Sequence, residues 1–261
     1  MIFAIDKYLN MENYNNQGYL MRIVDYKGYE DIEVEFAEPY KCRVKTRIGH
    51  FKEGDVVNPY APTICGVGIV GDKYKTVIPE SNGMHTKEYL TWSNMLKRCY
   101  SDKEREKNKT YIDVTVDPIW FYFVNFYDWV HNQDNYNAFQ DEDYCIDKDI
   151  LYRGNKLYSP EKCTLVPQRV NNLLLKSNAI RGCHPIGVHY SKRNEKYIAQ
   201  CGGKINYKYL GIYETEEEAF EAYKNYKETM IQKVAREEFD KGTITKQCFE
   251  ALMNYRVEID D

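Results

Sequence analysis

Three segments decide the fold of the C-terminal region: GVHY at residues 187–190, KYIAQC at 196–201 and YLGIY at 209–213. They are short, rich in β-branched and aromatic residues, and separated by polar turns, which predicts a three-stranded meander. A helix is expected next, because Thr215 precedes Glu218 by three residues, the spacing of a capping box. The apolar face of that helix is formed by Ala219, Tyr223, Tyr226 and Met230. The sequence therefore predicts a small sheet backed by one helix.

This order of elements resembles the ethylene-response-factor type of DNA-binding domain, which occurs in plants and in mobile-element nucleases and integrases. The resemblance covers roughly residues 182–236 and rests on Gly-Val, an aromatic-x-Ala strand, aromatic-Leu-Gly-x-aromatic and Thr-x-Glu-Glu-Ala. It implies a sheet that lies in the major groove of double-stranded DNA and a helix behind it. His189 stands where the family has arginine, and Tyr209 where it has tryptophan before Leu-Gly. The family's base preference is therefore not expected to transfer.

The charge of this region favours contact with phosphates. Residues 182–213 contain five basic side chains against one acidic side chain, Glu195, whereas the whole chain has 36 basic and 40 acidic residues. A local excess of cations on one sheet is what contact with a nucleic-acid backbone requires. An ordinary solvated polar face is the alternative interpretation.

Strand alternation assigns the side chains to two faces of the predicted sheet. Tyr197, Ala199 and Cys201 are expected on the helix side, with Ile198 and Gln200 on the other. Gln is chemically suited to adenine, and Lys or Arg to guanine or phosphate. Tyr207 and Tyr209 are assigned either to sugar or thymine contacts or to the core. The predicted DNA-binding residues are His189, Lys192, Arg193, Lys196, Gln200, Lys204, Tyr207, Lys208 and Tyr209.

Composition indicates a chain of two or three small domains, since 261 residues with 43% hydrophobic content can form packed cores. No apolar run reaches the length of a membrane span, and residues 1–10 lack the pattern of a signal peptide, so we expect a cytoplasmic protein without membrane contact. The eight cysteines are scattered without a C-x-x-C pair, which predicts reduced thiols and disfavours a structural zinc site.

The N-terminal region is predicted to be a polar arm or single edge element over residues 1–17, followed by a small β module, SH3-like, over 18–65. Apolar residues alternate with acidic residues at 31–36 and with basic residues at 43–48, so two strands with opposite exposed charges should pair across a hairpin. Residues 51–59 are expected to form a turn and a short closing strand. The basic strand could contact DNA or form an ordinary solvated face.

The middle of the chain contains two aromatic helical patterns. One predicts a helix over residues 87–100, and the second a helix that starts at Asp117-Pro118. The apolar positions of the second are Trp120, Phe123, Tyr127 and Val130. Residues 132–143 are polar and are expected to form a loop.

A candidate catalytic segment follows, with IDKDIL at 146–151, GN at 154–155, YSPEKCTLVP at 158–167 and NN at 171–172. Together with the tryptophan helix, this order resembles phage and mobile-element proteins related to HNH endonucleases, over roughly residues 85–175. The resemblance implies two strands and a helix around Mg²⁺, which stabilises the leaving oxygen of a phosphodiester.

The resemblance places Asp147 at the first metal position, Lys148 at the position of the general-base histidine, Asn155 at the loop asparagine that orients this base, and Asn171 at the helix ligand. A lysine is normally protonated near neutral pH and cannot accept the proton of water. Either another residue is recruited, or Asp147 or Asp149 organises metal hydroxide, or the unit no longer cuts. The alternative is a salt-bridged turn followed by a plain hairpin loop.

The whole sequence thus predicts a multi-domain α+β protein: a polar arm (1–17), a β module (18–65), an HNH-like domain (66–178), a DNA-binding domain (182–240) and a C-terminal helix or tail (241–261). The expected function is sequence-specific binding of double-stranded DNA by a phage or mobile-element protein, with Mg²⁺-dependent nicking or cleavage if the central site is active. The alternatives are a catalytically inactive DNA-binding regulator and a phage anti-defence protein that binds another protein.

Overall fold

The computed structural model describes residues 7–141, 143–175, 183–202 and 207–259. Helices and β-sheets are both present, so the chain belongs to the α+β class, as predicted. The chain divides into two compact units, Met1–Asp128 and Trp129–Asp261. This division falls inside the predicted domain 66–178, and the predicted domain boundaries stay predictions.

The first unit begins with a four-stranded antiparallel sheet in the order β1-β2-β3-β4. Its strands are β1 (Glu12–Tyr14), β2 (Leu20–Gly28), β3 (Asp31–Phe36) and β4 (Arg43–Thr46). The predicted hairpin is confirmed, because Glu33 lies opposite Lys45 and Glu35 opposite Arg43. The edge strand β1 lies within the predicted polar arm, whose residues 1–6 are outside the described part.

One local prediction in this module is wrong. The basic strand ends at Thr46, and residues predicted as its end and a turn form helix α1 (Ile48–Glu53), which ends at Gly54 with φ 73°. The reason is packing: Ile48 and Phe51 lie on one helical turn and are both buried in the core of the module. The helical conformation therefore buries two large side chains that a strand would have placed less favourably.

The rest of the first unit is built around helix α2 (Lys87–Tyr100), which has the predicted bounds. Trp92, Leu96 and Cys99 are buried on its inner face as predicted. The remaining elements are β5 (Pro62–Ile64), β6 (Gly68–Ile69), α3 (Asp102–Lys107), β7 (Thr115–Val116) and short 3₁₀ turns at Lys109–Tyr111 and Pro118–Phe121.

The helix predicted to start at Pro118 is interrupted. Pro118–Phe121 is a 3₁₀ turn, Tyr122 is extended, and helix α4 covers Phe123–His131. The extended Tyr122 makes a β-bridge to Ile69, and this pairing is incompatible with a helical conformation at that residue. Trp120 and Phe123 are nevertheless fully buried, in agreement with their predicted core role.

The second unit contains helix α5 (Tyr136–Asp141) in the segment expected to be a loop, because Phe139 is fully buried and fixes a helical turn. Strands β8 (Tyr144–Asp147) and β10 (Thr164–Pro167) then pair antiparallel, and helix α6 (Gln168–Leu173) follows. The short strand β9 (Leu157–Tyr158) lies in the connection between them. Two strands and a helix are thus present where the second resemblance implied them.

The C-terminal part has the predicted meander and helix. Strands β11 (Val188–Ser191), β12 (Lys196–Cys201) and β13 (Lys208–Tyr213) form an antiparallel sheet in that order, followed by α7 (Glu216–Asp240). The predicted capping box is confirmed: Thr215 Oγ1 accepts from the Glu218 N–H at 3.2 Å, and Glu218 Oε2 accepts from the Thr215 N–H at 3.4 Å. Helix α8 (Lys246–Met253) lies in the predicted C-terminal segment.

Helix α7 contributes to two separate cores. Its first half packs on the sheet through Ala219, Phe220 and Tyr223. Its second half, with Ile231 and Ala235, packs with apolar residues of the β8–β10–α6 region and of α8; these include Ile150, Val166, Val170, Cys248 and Leu252. One continuous helix therefore joins the two halves of the second unit. Within the described ranges of the chain, no helix is both long and apolar enough to cross a membrane.

Candidate functional site

The three-stranded sheet presents one face to α7, and no helix of the described residues packs on the opposite face, here called the outer face. On the helix side, Ala199 and Cys201 are buried and Tyr197 packs against the same core, as strand alternation predicted. Residues directly opposite each other in an antiparallel sheet project from the same face. The register of the strands therefore identifies which side chains belong to the outer face.

The outer face consists of three cross-strand rows. The central row is His189, Ile198 and Ile212, the second row pairs Ser191 with Lys196, and the third pairs Gln200 with Tyr209. A bulge between Ala199 and Gln200 resets the register. Tyr209 is 51% exposed and Ile212 39% exposed, so this face is accessible.

Two glycines of the motif have a clear structural role. Gly187 has φ 78°, and a Cβ there would lie 2.1 Å from Cδ2 of Tyr223 on α7. Gly211 has φ 142°, and a Cβ there would lie 2.8 Å from the hydroxyl of Tyr213. Both positions therefore need glycine for the backbone angle and for close contact with an aromatic ring.

The predicted cations do not all lie on the outer face. Lys196 does, but its Nζ donates to Glu214 Oε1 at 2.5 Å. Lys192 and Arg193 occupy the β11–β12 turn, and neither has an ion pair with a carboxylate of the described residues. Lys208 lies opposite Cys201, which is buried on the helix side, so the register removes Lys208 from the outer face.

The other predicted DNA contacts lie in or next to the same sheet. Tyr207 precedes β13 and is 54% exposed, so it is not a core residue. Nδ1 of His189 is enclosed and has no hydrogen-bond partner in the described part of the chain. Gln200 lies in the third row next to Tyr209, while Lys204 lies outside the described residues.

Acidic residues of α7 lie beside the edge strand β13. Glu218 and Glu221 of α7 border a shallow groove next to Ile212 of the edge strand β13. His184 Nδ1 is 2.5 Å from Glu216 Oε1 in the first turn of the same helix. The cationic turn and the acidic start of α7 lie at the same end of the sheet, where Lys196 and Glu214 meet, so basic and acidic side chains share that end.

Sequence reasoning missed two features of this face. Glu214, which neutralises Lys196, was not recognised, because it follows β13 and its position beside Lys196 depends on the register shift between Ala199 and Gln200. Ile212 was not assigned to the outer face, although its position opposite Ile198 could have been inferred from a correct strand register.

A second candidate site lies in the β8–β10–α6 region. Asp147 ends β8, and its Oδ1 accepts from the backbone N–H of Asp149 at 2.7 Å and of Ile150 at 2.8 Å. Burial raises the pKa of the Asp147 carboxyl, and these two backbone hydrogen bonds partly oppose the shift. One carboxylate oxygen thus stabilises the turn.

The turn after Asp147 is held by Lys148, which was assigned to the position of the base, and by Asn155, which was assigned to orient it. Nζ of Lys148 donates to Oδ2 of Asp149 at 2.5 Å. Nδ2 of Asn155 donates to the backbone oxygens of Lys148 at 2.9 Å and Leu157 at 2.7 Å. Asn155 therefore fixes the backbone of Lys148, and the D-K-D segment forms the ion-paired turn of the alternative interpretation.

The donor set for a divalent cation is small. Asp147 and Asn171 offer the carboxylate and amide oxygens that Mg²⁺ accepts, with phosphate and water completing its coordination. Burial raises the pKa of the nearby thiols of Cys163 and Cys248 to about 12. Among the described residues there is no cluster of three or more His, Cys, Asp or Glu side chains suited to a metal.

Comparison of this chain with protein-family models, with curated proteins and with solved structures finds no match.

Proposed function

We propose that this protein binds double-stranded DNA through the outer face of its C-terminal sheet. The observation that carries the proposal is the one-sided packing of the sheet. Helix α7 covers one face, whereas the opposite face keeps Lys196, Gln200 and Tyr209 in accessible rows. The major groove of DNA admits β-strands, and Gln can make a bidentate contact with adenine there.

The exposed cations of the β11–β12 turn support DNA binding next to the outer face. Lys192 and Arg193 lie at the β11–β12 turn, and the acidic first turn of α7 contains Glu216, Glu217 and Glu218. A polyanion is attracted to the turn and repelled from the helix start. Backbone phosphates are therefore assigned to the turn, and base edges to the rows of the outer face.

A salt series tests this function. Fluorescence anisotropy with a labelled duplex should give affinity that falls steeply with salt, because each phosphate contact releases counterions. The double change Lys192→Ala and Arg193→Ala should lower the slope of log K against log salt by about two. Lys233→Ala is the matched control, because Lys233 is a lysine of α7 paired with Glu237. Absent or salt-insensitive binding would contradict the proposal and favour a protein-binding role.

A second candidate function is Mg²⁺-dependent nicking by the β8–β10–α6 region, and the hydrogen bond from Asn155 to Lys148 favours it. Mg²⁺ would stabilise the leaving oxygen, with Asp147 and Asn171 as its protein ligands. Lys148 does not suit the role of base, because an ammonium has no lone pair with which to accept a proton.

Nicking of supercoiled plasmid in Mg²⁺ or Mn²⁺ distinguishes an enzyme from a DNA-binding regulator. Activity that disappears in Asp147→Ala and Asn171→Ala would establish cleavage. Asn172→Ala is the control on the same helix, since Asn172 is exposed and bonds only Gln168 among the described side chains. Duplex binding without nicking would assign the chain to the non-enzymatic class.

A further inference from the structure

The centre of the outer face is apolar. Ile198 lies in the middle strand, opposite Ile212 on one side and His189 on the other. Within the described residues, neither isoleucine belongs to the core beneath the sheet, whereas their neighbours Tyr197 and Tyr213 pack against it. Ile198 thus lies at the centre of the outer face, and Ile212 lies beside it on the edge strand β13.

Isoleucine cannot form a hydrogen bond, so its contact with a base edge depends on apolar groups. In the major groove, the C5-methyl group of thymine is the apolar group among the four standard bases. Gln200, in the next row, has the amide that pairs bidentately with adenine N6 and N7. The two rows are therefore complementary to neighbouring A·T pairs.

We infer that the outer face selects DNA containing thymine, with Ile198 and Ile212 in contact with thymine methyl groups and Gln200 bonded to an adjacent adenine. This inference rests on the proposed function and adds the base class to it. Cations at the turn supply affinity that is independent of sequence, and the isoleucine row supplies discrimination.

The contact is tested by removing only the methyl group. Two labelled duplexes of alternating A·T sequence are compared, one with thymidine and one with deoxyuridine, which present the same hydrogen-bonding groups. The full-length protein should bind the deoxyuridine duplex about fourfold more weakly if one isoleucine touches a thymine methyl group, and about fifteenfold more weakly if both do. The salt slope should be the same for both duplexes, because no phosphate contact changes.

Variants identify the residues responsible. Ile198→Ala and Ile212→Ala should each reduce the difference between the two duplexes and retain salt-dependent binding. Ile259→Ala, an exposed isoleucine outside the sheet, should leave the difference unchanged. The wild-type comparison requires no variant, so it remains decisive if Ile198→Ala unfolds.

Each outcome has a separate meaning. Equal, salt-dependent affinity for both duplexes would overturn the thymine assignment and leave the proposed DNA-binding function intact. If both isoleucine variants still bind the thymidine duplex more tightly than the deoxyuridine duplex by the wild-type factor, the assignment of the methyl contact to the outer face would be overturned. Failure to bind either duplex at low salt would overturn the proposed function together with the inference.

Discussion

Nζ of Lys196 and Oε1 of Glu214 are 2.5 Å apart, so the cation of the outer face is neutralised within the molecule. Both side chains are substantially exposed, and an exposed pair of this kind contributes little to stability. Its larger effect would be on DNA binding, because Glu214 competes with phosphate for Lys196.

We therefore predict that Glu214→Gln binds duplex DNA more tightly than the wild type. Released from its partner, Lys196 can contact one further phosphate, which should steepen the slope of log K against log salt by about one. The measurement is the dissociation constant of a labelled duplex over a salt series. Glu217→Gln removes a similar charge from the exposed start of α7 and controls for the change in net charge.

A double-mutant cycle shows whether the gain passes through Lys196. In the Lys196→Ala background, Glu214→Gln should raise the affinity for duplex DNA by no more than Glu217→Gln raises it. An undiminished gain in that background would mean that Glu214 acts by simple repulsion of DNA.

Gly187 is predicted to be intolerant of any side chain. Gly187→Ala adds a Cβ that meets the ring of Tyr223 at 2.1 Å and forces a left-handed backbone on alanine. We expect a loss of about 3 kcal/mol or more in the free energy of unfolding, because strain and overpacking act together. Urea denaturation followed by circular dichroism measures it.

Gly154→Ala separates the two causes. Gly154 has φ 74°, close to that of Gly187, but a Cβ there meets no atom within 4 Å. Gly154→Ala should lower the free energy of unfolding by only the cost of a left-handed backbone at alanine, about 1 kcal/mol. Equal losses at the two positions would show that contact with Tyr223 does not constrain Gly187.

Local signals in the sequence predicted part of the fold, and tertiary contacts determine the rest. The meander, the capping box at Thr215 and the helix Lys87–Tyr100 were predictable, because local turn chemistry and periodicity specify them. The extended Tyr122 and the helix Tyr136–Asp141 were not, since each depends on a tertiary contact, the bridge to Ile69 or the burial of Phe139.

The candidate site residues were likewise predictable from the sequence only in part. Alternation placed Ile198 and Gln200 on the outer face, because a strand has a fixed period of two. The sequence could not reveal that Lys196 pairs with Glu214, or that Lys208 lies opposite the buried Cys201. Both facts depend on strand register, which the bulge after Ala199 alters.

Glu238 is predicted to be essential for stability. Its side chain is completely buried in the second half of α7, where Arg169 of α6 and Lys241 form ion pairs with it and Thr243 Oγ1 donates to it at 2.9 Å. Glu238→Ala removes a charged acceptor that several donors share, which should cost about 2–4 kcal/mol. Thermal unfolding measures the loss, with the neighbouring Glu237→Ala as control. Similar unfolding temperatures for the two variants would contradict the prediction.

The charge of Asp147 is expected to reduce the stability of the fold. Burial raises the pKa of this carboxyl in the folded state, so the folded protein holds its proton more tightly than the unfolded chain does. The resulting stability is present below the unfolded pKa and is lost as the pH rises through the folded pKa. Above the folded pKa the group is therefore charged at a cost, which the two backbone N–H donors only partly offset.

Two substitutions separate the charge of Asp147 from its hydrogen bonds. Asp147→Asn keeps an oxygen for the N–H groups of Asp149 and Ile150 but removes the charge, so at neutral pH it should unfold at the same temperature as the wild type or higher. Asp147→Ala removes the oxygen that accepts both hydrogen bonds and should lower the free energy of unfolding by about 1–3 kcal/mol. The advantage of the Asn variant should shrink as the pH falls towards the ordinary range of a carboxyl, because the wild-type group becomes neutral there. Equal destabilisation by Asn and Ala at neutral pH would instead mean that the charge itself is stabilised in the folded protein.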